Sequence, residues 1–565
     1  MVVVKDFRKD FYDPIQTQRV LVLVALDVDA LCALKILQYL FQCDHVLYTI
    51  MPVSGRQELE TAFMENCEGI KCVMMLNCGG NIDIVELLQP DEDVTFFICD
   101  SHRPIDVHNI YNVKQVQLIL KEELEDVPDF NEIFREENSD DDSGNESDSS
   151  ERANKRRRFD EESLNRKREK REWWNNRERT LFEYYEFNSH GMSTAVTIFE
   201  LAWKMSKDTN DLLWLATIGL TDQFVHYKIN REKYIESLGS LQSHVSRLNH
   251  RGDDEDTKKS ISSLKLAFEE ELQLNLYRHW TLFDSLCHSV TTACKFRVWT
   301  MKGKKKLHEF LADMGLPLVQ CQQKYMSMDV SLRTSVKEMI SNKAEKYGLS
   351  PSEIFIPSFL AQYGYRNKLC AMDVAYACAA LLESVEKSKK QSDCFLDALD
   401  LLTRDRSTML EKGLENAKTQ LKAVVNQVNS FLDMTQVISA GPFLYAFIGE
   451  GTPDVKFFAK PICLQKLAKF TLKAHCAMSK SRKAPTLPLL LGAALDNDRG
   501  TTLVVGIPPL AEDDGRNFFG KAFEQAAEST SSRILQDSFD SNIVEMKTED
   551  RSKFFDALIN LMQYD

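Results

Sequence analysis

The sequence has no Cys-x-x-Cys pair, although it contains fourteen cysteines among 565 residues. Structural zinc sites take closely spaced ligands, so the scattered cysteines argue against zinc fingers. They predict buried free thiols in a reducing compartment. Long apolar runs are also missing, because Asp27 and Asp29 interrupt the best candidate for a membrane span. We therefore expect a soluble intracellular protein.

A phosphate-binding Gly-Lys-Ser/Thr loop is absent as well. The Gly-rich segment Gly449-Glu-Gly-Thr-Pro453 lacks the lysine, and its proline has no N–H to donate to a phosphate. The chain therefore does not encode an ATP-driven motor.

Excess negative charge is concentrated in one segment. The formal net charge is -15, but residues 121–150 hold 13 acidic and 2 basic side chains, a net of -11 that leaves -4 elsewhere. Such a segment cannot bury enough apolar surface to order itself, so we expect a disordered acidic loop. Serines beside acids are candidate phosphorylation sites, with a solvated spacer as the alternative. The candidates are Ser139, Ser143, Ser147, Ser149 and Ser150.

Two basic clusters follow the acidic loop. They predict a bipartite nuclear localisation signal, and hence a nuclear protein, because the neighbouring loop keeps them accessible. The alternatives are a nucleic-acid patch and a charged exposed helix from Glu161 to Glu186, in which Glu and Arg pair four residues apart. The clusters are Lys155, Arg156, Arg157 and Arg158, and Arg166, Lys167 and Arg168.

Strand-like and helix-like segments alternate from the N-terminus. The apolar run that begins at Val20 predicts a strand buried on both faces, and the helical spacing from Ala30 to Phe41 predicts a helix directly after it. Further strands are predicted at 46–53, 71–77 and 94–100, with helices at 58–64 and 82–88. This alternation predicts an α/β fold with a doubly wound parallel sheet.

Polar side chains follow three of these strands. Asp27 and Asp29 follow the first, Asn77 ends another, and Asp100 and His102 follow a third. The ends of parallel strands lie side by side, so these groups should converge. Each one alone is more typical of a helix cap or a turn, but together they predict a site or its remnant.

Two later segments add to this set. Residues 188–194, Asn-Ser-His-Gly-Met-Ser-Thr, open a helix whose first backbone amides are placed to receive an anion. A helix over 211–219 leads to Asp222, a fourth candidate carboxylate at a helix end. Taken singly, Asp222 is more typical of a cap.

The rest of the chain divides into a helical middle and a second α/β portion. Helices are predicted over 264–280, 306–314, 331–347, 371–385 and 394–432, then strands over 437–449, 455–460, 487–495 and 501–506, with helices over 461–478, 518–529 and 552–562. The predicted domains are an α/β domain at 1–121 and 180–227, an acidic loop plus basic helix at 122–179, a helical region at 228–436, and a smaller C-terminal α/β domain at 437–565.

These motifs resemble, in order, those of the DHH phosphoesterase superfamily, which includes the bacterial single-strand exonuclease RecJ. Segments over essentially the whole chain, such as 309–317 and 449–455, are similar to its eukaryotic branch, which acts in replication initiation. The resemblance implies a DHH-like first domain and a DHHA1-like last domain. The motifs that carry it are Asp27-Val-Asp29-Ala, Asn77-Cys-Gly, Asp100-Ser-His102, Ser189-His-Gly-Met-Ser193 and Gly219-Leu-Thr-Asp222.

Departures from the superfamily pattern bear on the chemistry. DHH enzymes hold two Mn²⁺ or Mg²⁺ ions, and this sequence has Ala25, Leu31, Asn77 and Ser101 where the family has His, Asp, Asp and His. It also lacks the Gly-Gly-Gly-His substrate loop. We therefore expect no metal, no cofactor and no catalytic residue. The vestigial set is Asp27, Asp29, Asn77, Asp100, His102 and Asp222.

The resemblance implies a non-catalytic subunit of the replicative DNA helicase. Its expected partners are the MCM hexamer, whose ring would supply ATP hydrolysis, the GINS tetramer and DNA polymerase epsilon. Single-stranded DNA is expected in the degenerate groove. The alternative is an active Mn²⁺-dependent single-strand exonuclease or phosphoesterase. It would use Asp27, Asp29, Asp100, His102 and Asp222.

Overall fold

A computed structural model describes residues 3–135, 161–254, 264–363, 368–404, 407–496, 498–512 and 514–563. Contacts divide the chain into two units, residues 1–122 with 188–565, and residues 123–187. No helix in the described ranges is long and apolar enough to cross a membrane. The division into four predicted domains stays a prediction.

A sheet of five parallel strands lies in the N-terminal part of the first unit. Its first strand in sequence, Val20–Ala25, is buried along its whole length, as its run of Val and Leu predicts. This confirms the α/β prediction. In spatial order the strands are Tyr48–Val53, Val20–Ala25, Cys72–Leu76, Thr95–Cys99 and Val116–Leu118, and the helices of this part are Val28–Cys43, Arg56–Asn66, Ile84–Leu88, Val107–Tyr111, Thr194–Lys204 and Asn210–Val225.

The order of these strands creates a topological switch point. The chain adds its second strand on one side of the first strand and its third strand on the other. Loops after the first and third strands therefore leave in opposite directions and open a crevice between them. Asp27 and Asn77 lie in those two loops.

The middle of the chain is mostly helical, but the predicted helix over 264–280 is wrong. Leu264–Leu272 is a strand that pairs along nine residues with Phe355–Tyr363. Glu271 within it is buried and accepts hydrogen bonds from Tyr277 (2.6 Å) and Arg278 (2.7 Å). The non-local pairing with Phe355–Tyr363 overrides the helical spacing. The helices here are Arg231–Asp254, Leu282–His288, Val290–Phe296, Met301–Asp313, Leu318–Gln322, Val330–Ala344, Pro351–Ile354, Ala371–Leu382, Gln391–Leu401 and Ser407–Asp433, the last two in place of the single helix predicted over 394–432.

A six-stranded mixed sheet forms the C-terminal part. Alternate residues of Leu489–Asp496 enter different cores, since Leu489 and Leu491 pack in one cluster and Leu490 in another. The predicted strand over 455–460 is wrong, because this segment is the short helix Val455–Phe458, which buries two phenylalanines. The strands are Ile438–Ser439, Leu444–Ile448, Leu489–Asp496, Thr501–Ile507, Ile543–Lys547 and Ile534–Leu535, and the longer helices are Pro461–Met478, Phe519–Thr530 and Arg551–Gln563.

The second unit contains the helices Phe130–Ile133 and Glu161–Tyr185. The long helix matches the charged-helix alternative for the basic region, and Arg168 Nε lies 3.0 Å from Glu172 Oε1. The side chains of Arg166 and Lys167 lie outside the described residues. So do the remaining basic candidates, Lys155, Arg156, Arg157 and Arg158, and the five serines, Ser139, Ser143, Ser147, Ser149 and Ser150. Nuclear import and phosphorylation stay predictions.

Two helical glycines offer a matched test of the packing. A Cβ at Gly413 would lie 2.7 Å from the carbonyl oxygen of Ala377 on the facing helix, whereas a Cβ at Gly239 would meet nothing within 4 Å. We expect Gly413→Ala to lower the free energy of unfolding by about 1–3 kcal/mol through overpacking. Gly239→Ala should raise it by up to about 1 kcal/mol, because alanine favours the helix. Urea denaturation measures both, and equal shifts would contradict the close helix packing.

Candidate functional site

Asp27 and Asn77 meet at the switch point. Asp27 caps the helix that follows the first strand, and its Oδ1 accepts a hydrogen bond from Ala30 N at 2.7 Å. Asn77 has a positive φ of 51°, a conformation that asparagine tolerates. Its Nδ2 donates to Asp27 Oδ2 (3.1 Å) and to Asp29 Oδ2 (3.2 Å). One amide group thus joins the two carboxylates of the first motif.

Asp29, in the first turn of the helix that Asp27 caps, is completely buried and faces the N-terminus of the helix Thr194–Lys204. Thr194 N donates to its Oδ2 at 2.8 Å, and Ala195 N (3.0 Å) and Ser193 Oγ (2.6 Å) donate to its Oδ1. The helix amides that were expected to receive an anion therefore receive this carboxylate. Burial, followed by the charge of Asp27, raises the pKa of Asp29 to about 6 despite these bonds.

Asp100 and His102 form a buried pair next to this cluster. His102 Nδ1 lies 2.6 Å from Asp100 Oδ1, and Gly80 N donates to Asp100 Oδ2 at 2.7 Å. Burial raises the pKa of Asp100, but His102 outweighs it, so this pKa is below its usual value. Burial lowers the pKa of His102, but Asp100 and Asp540 together raise it to about 10. Ser101 N, which donates to Asn77 Oδ1 at 3.1 Å, links the pair to Asn77.

Asp222 lies inside the helix Asn210–Val225, so its predicted position at a helix end is wrong. Gly219 lies inside this helix and does not end it. The glycine is required by close packing, since a Cβ there would lie 2.5 Å from Asp29 Oδ1. Asp222 Oδ1 lies 2.6 Å from His226 Nδ1. Burial raises the pKa of Asp222, but its contacts with His226 and Lys228 lower it below its usual value.

Lys228 connects Asp222 to Asp27. Its Nζ lies 3.4 Å from Asp222 Oδ2 and 3.8 Å from Asp27 Oδ2, and its side chain is only 10% exposed. Burial lowers the pKa of Lys228, but Asp27 and Asp222 raise it above its ordinary value. An ammonium group therefore supplies positive charge next to both carboxylates.

The donor groups do not fit two closely spaced divalent ions. Asn77 directs its N–H group, a hydrogen-bond donor, at Asp27 and Asp29. Both oxygens of Asp29 already accept hydrogen bonds, and the ammonium group of Lys228 offsets part of the charge of Asp27 and Asp222. Binuclear centres need several free anionic oxygens.

A cleft of about 100 Å³ borders this cluster. His190, Lys228 and Asp540 line it, and the sequence had not indicated any of them as site residues. His190 lies in the motif Ser189-His-Gly-Met-Ser193, which could have identified it as a site residue. Asp540 had none, because the C-terminal part of the fold brings it to the cleft. The structure thus unites all six predicted residues and adds these three.

A match to a family of known proteins covers most of the chain. The family model described as CDC45 matches residues 20–132 and 120–561. A human protein named cell division control protein 45 homolog is 50% identical over 99% of this chain and 100% of its own length. The chain belongs to the CDC45 family.

Other CDC45 relatives agree with this assignment. The Saccharomyces cerevisiae protein named cell division control protein 45 is 28% identical, over 96% of this chain and 95% of its own. The crystal structure of CDC45 from Entamoeba histolytica superposes with a TM-score of 0.70 at 24% identity, and the match covers 99% of each chain. This CDC45 family chain therefore shares its fold with a solved member.

Replacing Lys228 with an uncharged residue will lower the free energy of unfolding, because two carboxylates lose their counter-ion. Lys228→Met keeps the length of the side chain but leaves Asp27 and Asp222 without its charge. We expect the free energy of unfolding at pH 7 to fall by about 3–5 kcal/mol. Lys228→Arg retains the charge and should lose less. Equal urea midpoints for wild type and Lys228→Met would contradict the role of Lys228 as a counter-ion.

Replacing Asp29 with asparagine will destabilise the protein more at pH 5 than at pH 7. The native pKa of Asp29 is about 6, above about 3.9 for an unfolded aspartate, so the native state binds the extra proton between these values. Protonation of Asp29 in the native state therefore stabilises wild type as the pH falls from 7 to 5. Asparagine cannot bind that proton, so the deficit of Asp29→Asn should widen by about 1 kcal/mol.

Asp222→Asn is the control for this pH dependence. Because the pKa of Asp222 is below its usual value, its contribution to stability is lost only as the pH falls through that lower native pKa. Its deficit should therefore be the same at pH 7 and pH 5. Urea denaturation at both values measures the two variants. A deficit for Asp29→Asn that stays constant or narrows at pH 5 would show that Asp29 has no raised pKa.

Proposed function

We propose that this chain is a non-catalytic subunit of the replicative DNA helicase in the nucleus. In this proposal it bridges the MCM hexamer and the GINS tetramer during origin firing and fork progression, with DNA polymerase epsilon as a further partner. Full-length similarity to proteins named cell division control protein 45 supports the cellular role. The individual partners rest on the resemblance of the sequence motifs.

The position of Lys228 is the observation that carries the non-catalytic assignment. Its ammonium group lies within 4 Å of carboxylate oxygens of Asp27 and Asp222. A phosphodiesterase of the two-metal type uses such carboxylates to hold the ions that activate water. An ammonium group offsets part of the same charge but has no coordination position for water. The carboxylates therefore act as structural groups in this proposal.

Single-stranded DNA is the ligand that we propose for the cleft. Its lining includes Lys469 and Arg516, together with the amide side chains of Asn188, Asn517 and Asn542. Cationic groups suit backbone phosphates, and amides suit both phosphates and base edges. Binding of this kind depends strongly on salt and little on base sequence.

One purified preparation tests the proposal through partner assembly, Mn²⁺ calorimetry and a labelled single-stranded DNA assay. We expect co-elution with MCM and GINS in gel filtration, salt-sensitive DNA binding and no shortening of the DNA. Two tight Mn²⁺ sites with DNA shortening would contradict the proposal and indicate the exonuclease. Failure to assemble with MCM and GINS would contradict the bridging role.

A charge reversal locates the DNA. Arg516→Glu, in the cleft, should weaken DNA binding several-fold and reduce the salt dependence. Lys302→Glu is the matched control, because this exposed lysine lies on the helix Met301–Asp313 and does not line the cleft. Equal losses of affinity in the two variants would place the DNA elsewhere.

A further inference from the structure

Three side chains from distant parts of the sequence meet at the wall of the cleft. His102 and His190 are cross-strand partners in a two-stranded antiparallel ribbon. Asp540 lies in the loop before the strand Ile543–Lys547. The Nε2 atoms of His102 and His190 lie 3.4 Å and 3.3 Å from the same oxygen, Asp540 Oδ1. The ligand atoms of all three residues lie within 4.8 Å of one another.

The two nitrogen–oxygen separations fit the edges of a metal coordination polyhedron. Zinc bonds of about 2.0–2.1 Å in a tetrahedron place neighbouring donor atoms about 3.4 Å apart. Two imidazole nitrogens and one carboxylate oxygen are also a donor set that Zn²⁺ takes where the fourth position is open. We propose that His102, His190 and Asp540 bind one divalent transition-metal ion, for which Zn²⁺ is the best fit.

This site shares His102 with the six predicted residues but takes its other two ligands, His190 and Asp540, from outside them. Asp27, Asp29 and Asp222 contribute no ligand to it, and the inference does not depend on the proposed role in replication. It also differs in chemistry, because two of its three donors are imidazoles. Such donors suit zinc and its neighbours in the periodic table rather than a pair of Mg²⁺ ions.

Asp100 positions one of the histidines. Its Oδ1 lies 2.6 Å from His102 Nδ1, and its Oδ2 is held by Gly80 N at 2.7 Å. A carboxylate on the second nitrogen of a histidine fixes the ring and makes the other nitrogen a better ligand. His102 Nε2 is thereby directed towards Asp540.

His190 has a nitrogen that the described residues leave without a hydrogen bond. Its Nε2 is buried, and its 3.3 Å contact with Asp540 Oδ1 lacks hydrogen-bond geometry. Buried polar atoms without a partner are rare, and a metal ion would satisfy this one. The side chains of His102, His190 and Asp540 are 9%, 15% and 22% exposed. The cleft gives an ion access and leaves room for a water ligand.

The charges around the site leave one competing arrangement. Asp100 and Asp540 favour a cation here, whereas Lys228, which also lines the cleft, opposes it. Without a metal ion, a protonated His102 forms an ion pair with Asp540. The experiment must therefore separate a metal site from an ion pair that only stabilises the fold.

Competition with a chromophoric chelator tests Zn²⁺ binding by the full chain. We expect one bound Zn²⁺ per chain. Co²⁺ should give visible bands of a tetrahedral site without the near-ultraviolet charge-transfer band that cysteine ligands produce. Asp540→Asn and His190→Gln should each weaken Zn²⁺ binding by about 100-fold or more. His108→Gln is the matched control in a second, more exposed cluster with Asp83 and Asp106, and it should bind as wild type does.

A measurement on wild type alone tests the site even if the variants fail to fold. Crystals soaked in Zn²⁺ should show an anomalous diffraction peak within bonding distance of His102, His190 and Asp540. Absence of Zn²⁺ uptake by wild type, unchanged affinity in a folded Asp540→Asn variant, or an anomalous peak only elsewhere would overturn the site. Each of these results would leave the ion pair between His102 and Asp540 as the explanation of the cluster.

Discussion

The buried carboxylate of Asp29 is the constraint on which the packing around the switch point depends. A carboxylate without access to water costs several kcal/mol unless donors surround it. Asp29 has those donors because the N-terminus of the helix that begins at Thr194 points at its carboxylate. The side-chain amide of Asn77 also donates a hydrogen bond to it. The same contact requires Gly219 on the neighbouring helix, where a Cβ would lie 2.5 Å from Asp29 Oδ1.

The effect of Asp29 extends from packing to charge. Asn77, Ser193 and the helix amides donate hydrogen bonds to both oxygens of Asp29, so that neither oxygen is left free to bind an ion. Lys228 does the equivalent for Asp27 and Asp222 from a different element of the chain. The two halves of the cluster are thus stabilised by different means, one by hydrogen-bond donors and the other by a formal positive charge. Both make the cluster an internal polar connection between elements.

Local sequence patterns predicted four of the five strands of the parallel sheet, because each of these is a largely apolar run bounded by segments of helical spacing. The short strand Val116–Leu118 was not predicted. The same patterns also predicted that Asp27, Asn77 and Asp100 would converge, since strand ends in a parallel sheet share one edge. The segment after Leu264 was misjudged for the opposite reason. Its structure depends on pairing with Phe355–Tyr363, about ninety residues away, which no local window contains.

The residues that determine the chemistry of the site were the hardest to predict. Lys228 follows the end of a helix whose predicted boundary was too early, so its proximity to Asp222 was hidden. Asp540 reaches the cleft only after the whole C-terminal sheet has formed. Side chains of this kind carry no periodic pattern, and their partners are set by tertiary structure alone. Sequence motifs therefore located the cluster but not its counter-ion.

An ammonium group next to carboxylates stabilises them but differs from a metal ion in its chemistry. A divalent ion and a lysine both offset the repulsion between carboxylates. Only the ion lowers the pKa of a bound water or polarises a phosphoryl oxygen, because only the ion has open coordination positions. Lys228 has its pKa raised by Asp27 and Asp222, so it remains a cation and cannot serve as a base near neutral pH. The carboxylate scaffold can therefore hold the helices in register without activating a nucleophile.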